Sequence, residues 1–348
     1  MIGVEIPNYW KSTLEDIEAA MQSVTHGRVS VIGHSAGNRP IYMAEYGEAS
    51  HHVRLANYSS ALGAHQPEAY KNNPQPCILL YATTHGAEFE GAVSMLNLIS
   101  LFETGTDLRG KKNDLLASWP QRAHLMLIPC MNPDGRARVG VKSVVGMTIG
   151  EFRRLAQGVW KDGTTCDWPD CKKYHPIKEQ VSFMGGYFND DGINLIHDNF
   201  FVPMAPETQH LMRVCSDNAP DFMLSFHGHA GCGGGSLIPA VFEPECDTER
   251  LLELEEQLIP AFEQVGSRFY PNVLQACRGD DRCFNLTDAC RFCCGGISVL
   301  YESDQGVVNS ESDYALLENR YDIILNSHMA LYKAVEGCTQ KWFGKEVH

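Results

Sequence analysis

Residues 77–91 read CILLYATTHGAEFEG, and this stretch decides how the chain folds. The run at 77–85 is almost continuously apolar, which is typical of a strand in a sheet that is covered on both faces. His85 and Glu88 stand where this run ends, and the apolar positions at 90–103 have helical spacing. The sequence therefore predicts a buried strand, a bend that carries His85 and Glu88, and a helix.

The rest of the chain repeats this alternation of strands and helices. Two strand-like runs flank the turn-rich phrase HSAGNRP at 34–40, which predicts a hairpin. Further buried strands are predicted at 124–132, 221–229 and 295–303, and helices at 11–24, 205–216, 248–266 and 313–336. Such alternation is typical of an α/β fold, and we predict a mixed, mostly parallel, twisted sheet with helices on both faces.

No Pro- or Ser-rich linker divides the chain, so we expect a single domain over residues 1–348. The stretch at about 140–200 is poor in periodic pattern and rich in Gly, Asp, Lys and Cys. We predict that it forms a long, partly irregular excursion over the sheet. Long loops of this kind usually carry function.

Composition excludes several classes of protein. The formal net charge is −15 at pH 7 and no basic stripe offsets it, which argues against a nucleic-acid partner. No run of roughly 18 apolar residues is present, so no membrane-spanning segment is expected. The first residues contain neither a basic nor an apolar signal region, and we therefore expect a cytoplasmic protein whose 13 cysteines are mostly reduced.

Two predicted strands end in residues that can bind a metal ion. His85 and Glu88 follow the first, and His227 and His229 end the strand at 221–229. Because ligands gather beyond the carboxyl ends of strands in an open α/β sheet, these side chains can converge. Two histidines and one glutamate leave an open position on a zinc ion, as a catalytic site requires. We predict His85, Glu88 and His227 as ligands, with His229 as the alternative to His227.

Six phrases along the chain resemble, in the right order, motifs of the M14 family of zinc carboxypeptidases. They are VIGHSAGNRPIYMAEYGE at 31–48, THGAEFEG at 84–91, IPCMNPDGR at 128–136, DGINLIHDNF at 191–200, LSFHGH at 224–229 and SVLYESDQG at 298–306. The resemblance implies one catalytic Zn²⁺ held by His85, Glu88 and His227, a ligand set already known from carboxypeptidase A. It also implies that Glu302 is the general base that handles the proton.

The resemblance implies further residues around this centre. A cation should face the oxyanion of the tetrahedral intermediate. The counterpart of the family's W-R-K-like phrase is Trp160-Lys161, so we predict that Arg154 or Lys161 supplies this cation, without choosing between them. Asn132, in the N-P-D-G motif, is predicted to contact the substrate.

The chain departs from the family where the substrate carboxylate is gripped. Typical members use an Asn-Arg pair, and the corresponding residues here are Ile196 and His197. An imidazole does not replace the bidentate fork of a guanidinium. Either Arg278 or Arg282 takes over this task, with His197 beside the substrate, or the substrate lacks a conventional C-terminal carboxylate. The specificity position falls near Thr287, which indicates a small or polar substrate group.

Together these features predict a zinc-dependent hydrolase that cleaves an amide bond of a small or modified peptide. An N-acyl amino acid deacylase on the same fold is the alternative, and a catalytically silent peptide-binding protein is the third interpretation. The expected partner is accordingly a peptide or an N-acyl amino acid, and the oligomeric state is left open. The pair Cys290-x-x-Cys293 would allow a second, structural metal ion, although buried thiols are the simpler interpretation.

Overall fold

A seven-stranded mixed sheet forms the centre of the computed structural model, which describes residues 4–49, 58–66, 73–200, 204–240, 245–278 and 283–344. The strands are β1 (Arg28–His34), β2 (Pro40–Tyr46), β3 (Cys77–Ala82), β4 (His124–Ile128), β5 (Gly158–Trp160), β6 (Val181–Met184), β7 (Phe222–His229), β8 (Ser236–Pro239) and β9 (Ile297–Asp304). Their order in the main sheet is β1-β2-β4-β3-β7-β9-β8, and β5 pairs with β6 in a separate ribbon. The central strands β4, β3, β7 and β9 are parallel, whereas β1, β2 and β8 pair antiparallel with their neighbours. The predicted mixed, mostly parallel sheet is confirmed.

Helices cover both faces of this sheet. They are α1 (Leu14–Gln22), α2 (Tyr58–Gly63), α3 (Glu90–Thr104), α4 (Asp114–Ala117), α5 (Pro133–Arg138), α6 (Ile149–Ala156), α7 (Pro206–Asn218), α8 (Glu245–Glu263), α9 (Val273–Arg278), α10 (Leu286–Cys294) and α11 (Arg320–Phe343). Because successive strand residues point to opposite faces, Leu79 packs in the cluster of α7 and α10 while Leu80 packs with α3, α8 and α11. This two-sided burial explains why the central strands are continuously apolar. Among the described helices, none combines the length and the apolar character needed to cross a membrane.

Several predicted elements have different bounds from those expected; the strand predicted at 124–132, for example, ends at Ile128. The strand predicted at 77–85 ends at Ala82, because Thr83 adopts a left-handed backbone conformation with φ of 55°. The helix predicted at 313–336 begins only at Arg320 and continues to Phe343. Asn319, with φ of 55°, separates it from the 3-10 turn Glu311–Leu316.

The stretch at 140–200 is built from short elements rather than long ones. It contains α6, the β5–β6 ribbon and the 3-10 turns Asp170–Lys173, Lys178–Gln180 and Leu195–His197. Its apolar side chains form a cluster of their own, in which Phe152 and Phe188 pack with Ala87 and Phe89 of the loop after β3. The excursion is therefore anchored against the segment that carries His85 and Glu88.

Three segments meet backbone to backbone at glycines beside this loop. The N–H of Gly86 donates to the carbonyl of Gly186 over 2.7 Å. A Cβ on Gly86 would overlap with the carbonyl carbon of Gly135 and the backbone nitrogen of Arg136. Neither neighbour is a side chain that can rotate away. Three segments therefore approach this closely only because residue 86 is glycine: the loop after β3, the start of α5 and the excursion.

Gly86→Ala should therefore lower the free energy of unfolding by about 1–3 kcal/mol, the usual cost of overpacking a rigid contact. Chemical denaturation of the metal-free protein measures this. Gly337→Ala is the matched control, because Gly337 is exposed on α11 and a Cβ there would meet no atom within 4 Å. That control should be neutral or stabilising by about 0.5–1 kcal/mol. Equal stabilities of the two variants would contradict the account of the contact.

Candidate metal centre and active site

The loop after β3 brings His85 and Glu88 to one point. Thr83 turns the chain out of the strand in a conformation that β-branched residues rarely adopt, and its Oγ1 donates to the carbonyl of Pro129 over 3.0 Å. The N–H of Glu88 then donates to the carbonyl of His85 over 3.0 Å. This turn places both side chains on the same side of the loop.

His85, Glu88 and His227 lie together, although they are remote in sequence. The Nδ1 of His85 is 3.0 Å from each carboxylate oxygen of Glu88, and the Nδ1 of His227 is 3.0 Å from Oε2. One ligand atom from each residue lies within 4.8 Å of the other two, and all three side chains are buried. No other group of three His, Cys, Asp or Glu side chains in the described ranges meets this distance. His229, the alternative to His227, instead places its Nε2 2.7 Å from the carbonyl oxygen of Gly234.

The second nitrogen of each imidazole has a hydrogen-bond acceptor. The Nε2 of His85 is 3.1 Å from Oδ1 of Asn194, and the Nε2 of His227 is 3.0 Å from Oγ of Ser225. The amide of Asn194 is oriented by the N–H of Ile196, which donates to the same Oδ1 over 3.2 Å. With Nε2 protonated, each imidazole presents an unprotonated Nδ1 to Glu88, as a metal ligand must. Neither Asn194 nor Ser225 was predicted from the sequence.

The electrostatics of this cluster suit a divalent cation. Burial raises the pKa of Glu88, but the imidazoles of His85 and His227 outweigh this effect and hold the pKa well below its usual range. Burial lowers the pKa of His227, which favours its neutral form. The N–H of Gly228 also donates to Oε2 of Glu88 over 3.2 Å. As metal ligands, two neutral imidazoles and one carboxylate would form a negatively charged donor set, which fits Zn²⁺.

Glu302 lies on the strand beside His227. The two residues are direct partners in the β7–β9 ladder, so their side chains project from the same face of the sheet. Burial, followed by the charge of Glu88, raises the pKa of Glu302 to about 8. A bound divalent cation would oppose this shift, because it stabilises nearby negative charge. The side chain is partly exposed, so it can meet a ligand.

Tyr187 and His197 complete the surroundings of the cluster. The ring of Tyr187 stacks on His85, with centroids 3.8 Å apart and planes 9° from parallel. Burial lowers the pKa of His197 to about 3, and the charges of Lys172, His85 and other imidazoles act in the same direction. His197 is therefore close to the cluster, as the predicted substrate contact requires.

The other predicted substrate residues have mostly structural contacts. Asn132 is buried, accepts from the N–H of Gly135 over 2.8 Å as the cap of α5, and donates to the carbonyl of Thr84 over 3.2 Å. The hydroxyl of Thr287, in the first turn of α10, is buried and has no hydrogen-bond partner among the described atoms. Arg278 ends α9, but its side chain and the whole of Arg282 lie outside the part of the chain that the structure describes.

The structure does not bring the two candidate oxyanion cations to the cluster. Arg154 is exposed on α6, and its guanidinium is 3.5 Å from Oγ1 of Thr165. Lys161 is exposed just after β5. Within the described residues neither side chain contacts His85, Glu88 or His227. The choice between them stays a prediction without structural support.

A second metal ion at Cys290 and Cys293 is not supported either. The two residues lie on α10, where Cys290 is buried in the apolar cluster and Cys293 donates from Sγ to the carbonyl of Met212 over 3.3 Å. In the described ranges neither belongs to a group of three ligands. Cys290 packs as a small apolar side chain.

Comparison with known proteins defines the class. Residues 11–232 match the zinc carboxypeptidase family, peptidase M14. The match spans more than half of the chain and includes His85, Glu88 and His227, whereas Glu302 lies beyond it. The chain belongs to this family and is a zinc metallopeptidase.

Several solved structures share the fold at low sequence identity. The metallo-carboxypeptidase of Burkholderia cenocepacia is 14% identical with a TM-score of 0.56, over 94% of this chain and 69% of that one. Carboxypeptidase A from Helicoverpa armigera is 12% identical with a TM-score of 0.57, over 95% and 75%. Bovine thrombin-activatable fibrinolysis inhibitor, solved with a tick carboxypeptidase inhibitor, is 12% identical with a TM-score of 0.55, over 96% and 99%. No curated protein matches this chain in sequence.

The contacts of the imidazoles generate a prediction about metal affinity. Asn194→Ala removes the acceptor that orients His85, and the dissociation constant for zinc should rise about 10- to 100-fold. Competition with a chromophoric chelator measures it. Asn113→Ala is the control, since Asn113 caps the remote helix α4 through the N–H of Leu116. If both variants bind zinc as tightly as the unmodified protein, Asn194 does not orient a ligand.

Proposed function

We propose that this chain is a carboxypeptidase-like hydrolase that cleaves an amide bond of a small or modified peptide, with Glu302 as the general base. The observation that carries this proposal is the position of Glu302, opposite His227 in the ladder and beside the His85–Glu88–His227 cluster. A protein that only bound peptides would have no use for a second carboxylate at this place. The partial burial of Glu302 also screens it from bulk water, which general acid–base catalysis favours.

The same cluster supplies the metal site of this proposal. The Nδ1 atoms of His85 and His227 and the carboxylate of Glu88 would hold the ion, and Asn194 and Ser225 keep the imidazoles in place. When bound, zinc acts as a Lewis acid toward the scissile carbonyl and lowers the pKa of water. Three protein ligands leave room for water and substrate, as in other catalytic zinc sites.

Glu302 performs the proton transfers in this proposal. As a carboxylate it takes a proton from the attacking water, and as a carboxylic acid it delivers that proton to the leaving nitrogen. One residue can do both because the second step regenerates the carboxylate.

The substrate-binding side of the cleft differs from that of typical family members. Ile196 packs in the apolar cluster with Leu195, so its side chain offers no hydrogen bond to a substrate. His197 is partly exposed beside the metal cluster and can contact a bound molecule. The hydroxyl of Thr287, buried and without a hydrogen-bond partner among the described residues, supports a small polar group in the specificity position.

A profile of peptides and N-acyl amino acids tests the proposal, with zinc-loaded protein and a chelator control. Glu302→Gln should keep one bound zinc and lose about 10²- to 10⁴-fold in kcat, because the amide cannot accept the proton. Glu318→Gln, at an exposed carboxylate, is the control and should keep full activity.

Release of a single C-terminal residue supports the peptidase assignment. Release of an acyl group would instead identify the activity as that of an N-acyl amino acid deacylase. Full activity of Glu302→Gln would show that Glu302 is not the general base.

A further inference from the structure

A second cleft lies among α3, α8 and α11, away from the metal centre. Its volume is about 410 Å³, within the range of small-molecule sites, roughly 300–1,000 Å³. Leu101, in the last turn of α3, lines this cleft, whereas the loop with the metal ligands comes just before Glu90, the first residue of the same helix. At 1.5 Å per residue, Leu101 and Glu90 are roughly 16 Å apart along the helix. A molecule in this cleft would therefore not touch the metal ligands.

The floor of the cleft is apolar. Ala261 of α8 and Ala330 and Ala334 of α11 line it, and these small side chains leave room between the two helices. Leu101 and Met329, which also line the cleft, belong to the largest apolar cluster of the protein. The floor thus continues the core and suits a hydrocarbon group.

The rim of the cleft is basic, although the chain is acidic. Four cationic side chains line it, namely Arg109, Lys111, Lys112 and Lys333. Among the described residues one carboxylate lines the cleft, that of Asp107, and it pairs with Arg109 over 2.7 Å. In a chain with a net charge of −15, such a concentration of positive charge favours an anionic ligand at this place.

Arg109 holds the rim in shape and orients one amide beside it. Its guanidinium is nearly buried and donates to Asp107 over 2.8 Å and to Asp322 over 3.0 Å. It also donates to Oδ1 of Asn326 over 2.7 Å. Because this oxygen is occupied, the NH₂ group of Asn326 is the part of the amide that can donate to a ligand.

The other polar groups of the cleft also offer donors. Asn113 uses Oδ1 to accept from the N–H of Leu116, which again leaves its NH₂ group for a ligand. The ammonium groups of Lys112 and Lys333 are exposed and can only donate. A rim that presents donors matches a carboxylate or phosphate, which accepts only.

We propose that this cleft binds a small organic anion with a hydrocarbon body, such as a medium-chain carboxylate. The anionic group would lie at Lys112, Lys333 and the amide of Asn326, and the hydrocarbon would cover the floor at Ala261 and Ala330. The site is independent of the hydrolase proposal, because none of these residues belongs to the metal cluster.

Calorimetric titration of the zinc-loaded protein with octanoate tests the proposal, with acetate and 1-octanol as comparisons. Octanoate should bind at one site, whereas acetate lacks the hydrocarbon and octanol lacks the charge, so both should bind more weakly. Lys112→Glu combined with Lys333→Glu should raise the dissociation constant for octanoate at least about 10-fold, because repulsion replaces two charged donors. Lys142→Glu combined with Lys178→Glu makes the same charge change at exposed lysines elsewhere and should bind as the unmodified protein does.

Two further variants locate the bound molecule. Ala330→Leu keeps the charges but fills the floor, so it should also weaken binding of octanoate, whereas His227→Ala should leave that binding unchanged. Circular dichroism checks that each variant is folded. Absence of saturable octanoate binding, equal binding by the two lysine double variants, or loss of binding in His227→Ala would overturn the inference.

A membrane surface is the other source of such anions. Vesicles of phosphatidylglycerol are therefore tested by flotation with the same variants. If the protein binds these vesicles through Lys112 and Lys333 but does not bind monomeric octanoate, this face contacts lipid bilayers and the cleft is not a ligand site.

Discussion

The buried carboxylate of Glu88, held between two imidazoles, is the interaction on which the site depends. A carboxylate that is removed from water is costly unless charges and hydrogen bonds compensate it. Here the N–H of Gly228 supplies one hydrogen bond, and the Nδ1 atoms of His85 and His227 lie 3.0 Å from the carboxylate, where they could share a cation with it. A divalent cation would complete it, because the donor set carries a negative charge. The surrounding structure therefore has to hold these groups within hydrogen-bond distance of one another.

The topology of the sheet brings these groups close together. Strands β3, β7 and β9 are parallel neighbours, so the residues at their carboxyl ends meet at one edge. The strained turn at Thr83 and the glycine contact at Gly86 position the loop after β3. The excursion packs against this loop and contributes Asn194 and His197. The scaffold thus supplies the three candidate ligands and Ser225 beside His227, while the excursion adds Asn194 beside His85.

The central strands and the convergence of the candidate metal ligands could be predicted from the sequence, because both depend on local patterns of apolar and polar residues. The apolar runs predicted the central strands, and the histidines at strand ends predicted which side chains converge. Asn194 and Ser225 could not be found in this way, since their role depends on which ring nitrogen faces the metal. Strand β8 has only four residues, Ser236–Pro239, and follows a glycine-rich segment, so its pattern is too short to detect. In the excursion no periodicity links sequence position to space, so the sequence could not show that Arg154 and Lys161 lie exposed, without contact to the metal cluster in the described residues.

The central claim is that one zinc ion is bound by two imidazoles and a carboxylate. X-ray absorption spectroscopy at the zinc edge tests it most directly, because the chain also has 13 cysteines that could compete for the metal. The account predicts one zinc per chain, with nitrogen and oxygen neighbours at about 2.0–2.2 Å and no sulfur. This signal should disappear when His227 is replaced by alanine. A shell of sulfur at about 2.3 Å, or a zinc signal that survives His227→Ala unchanged, would contradict the account.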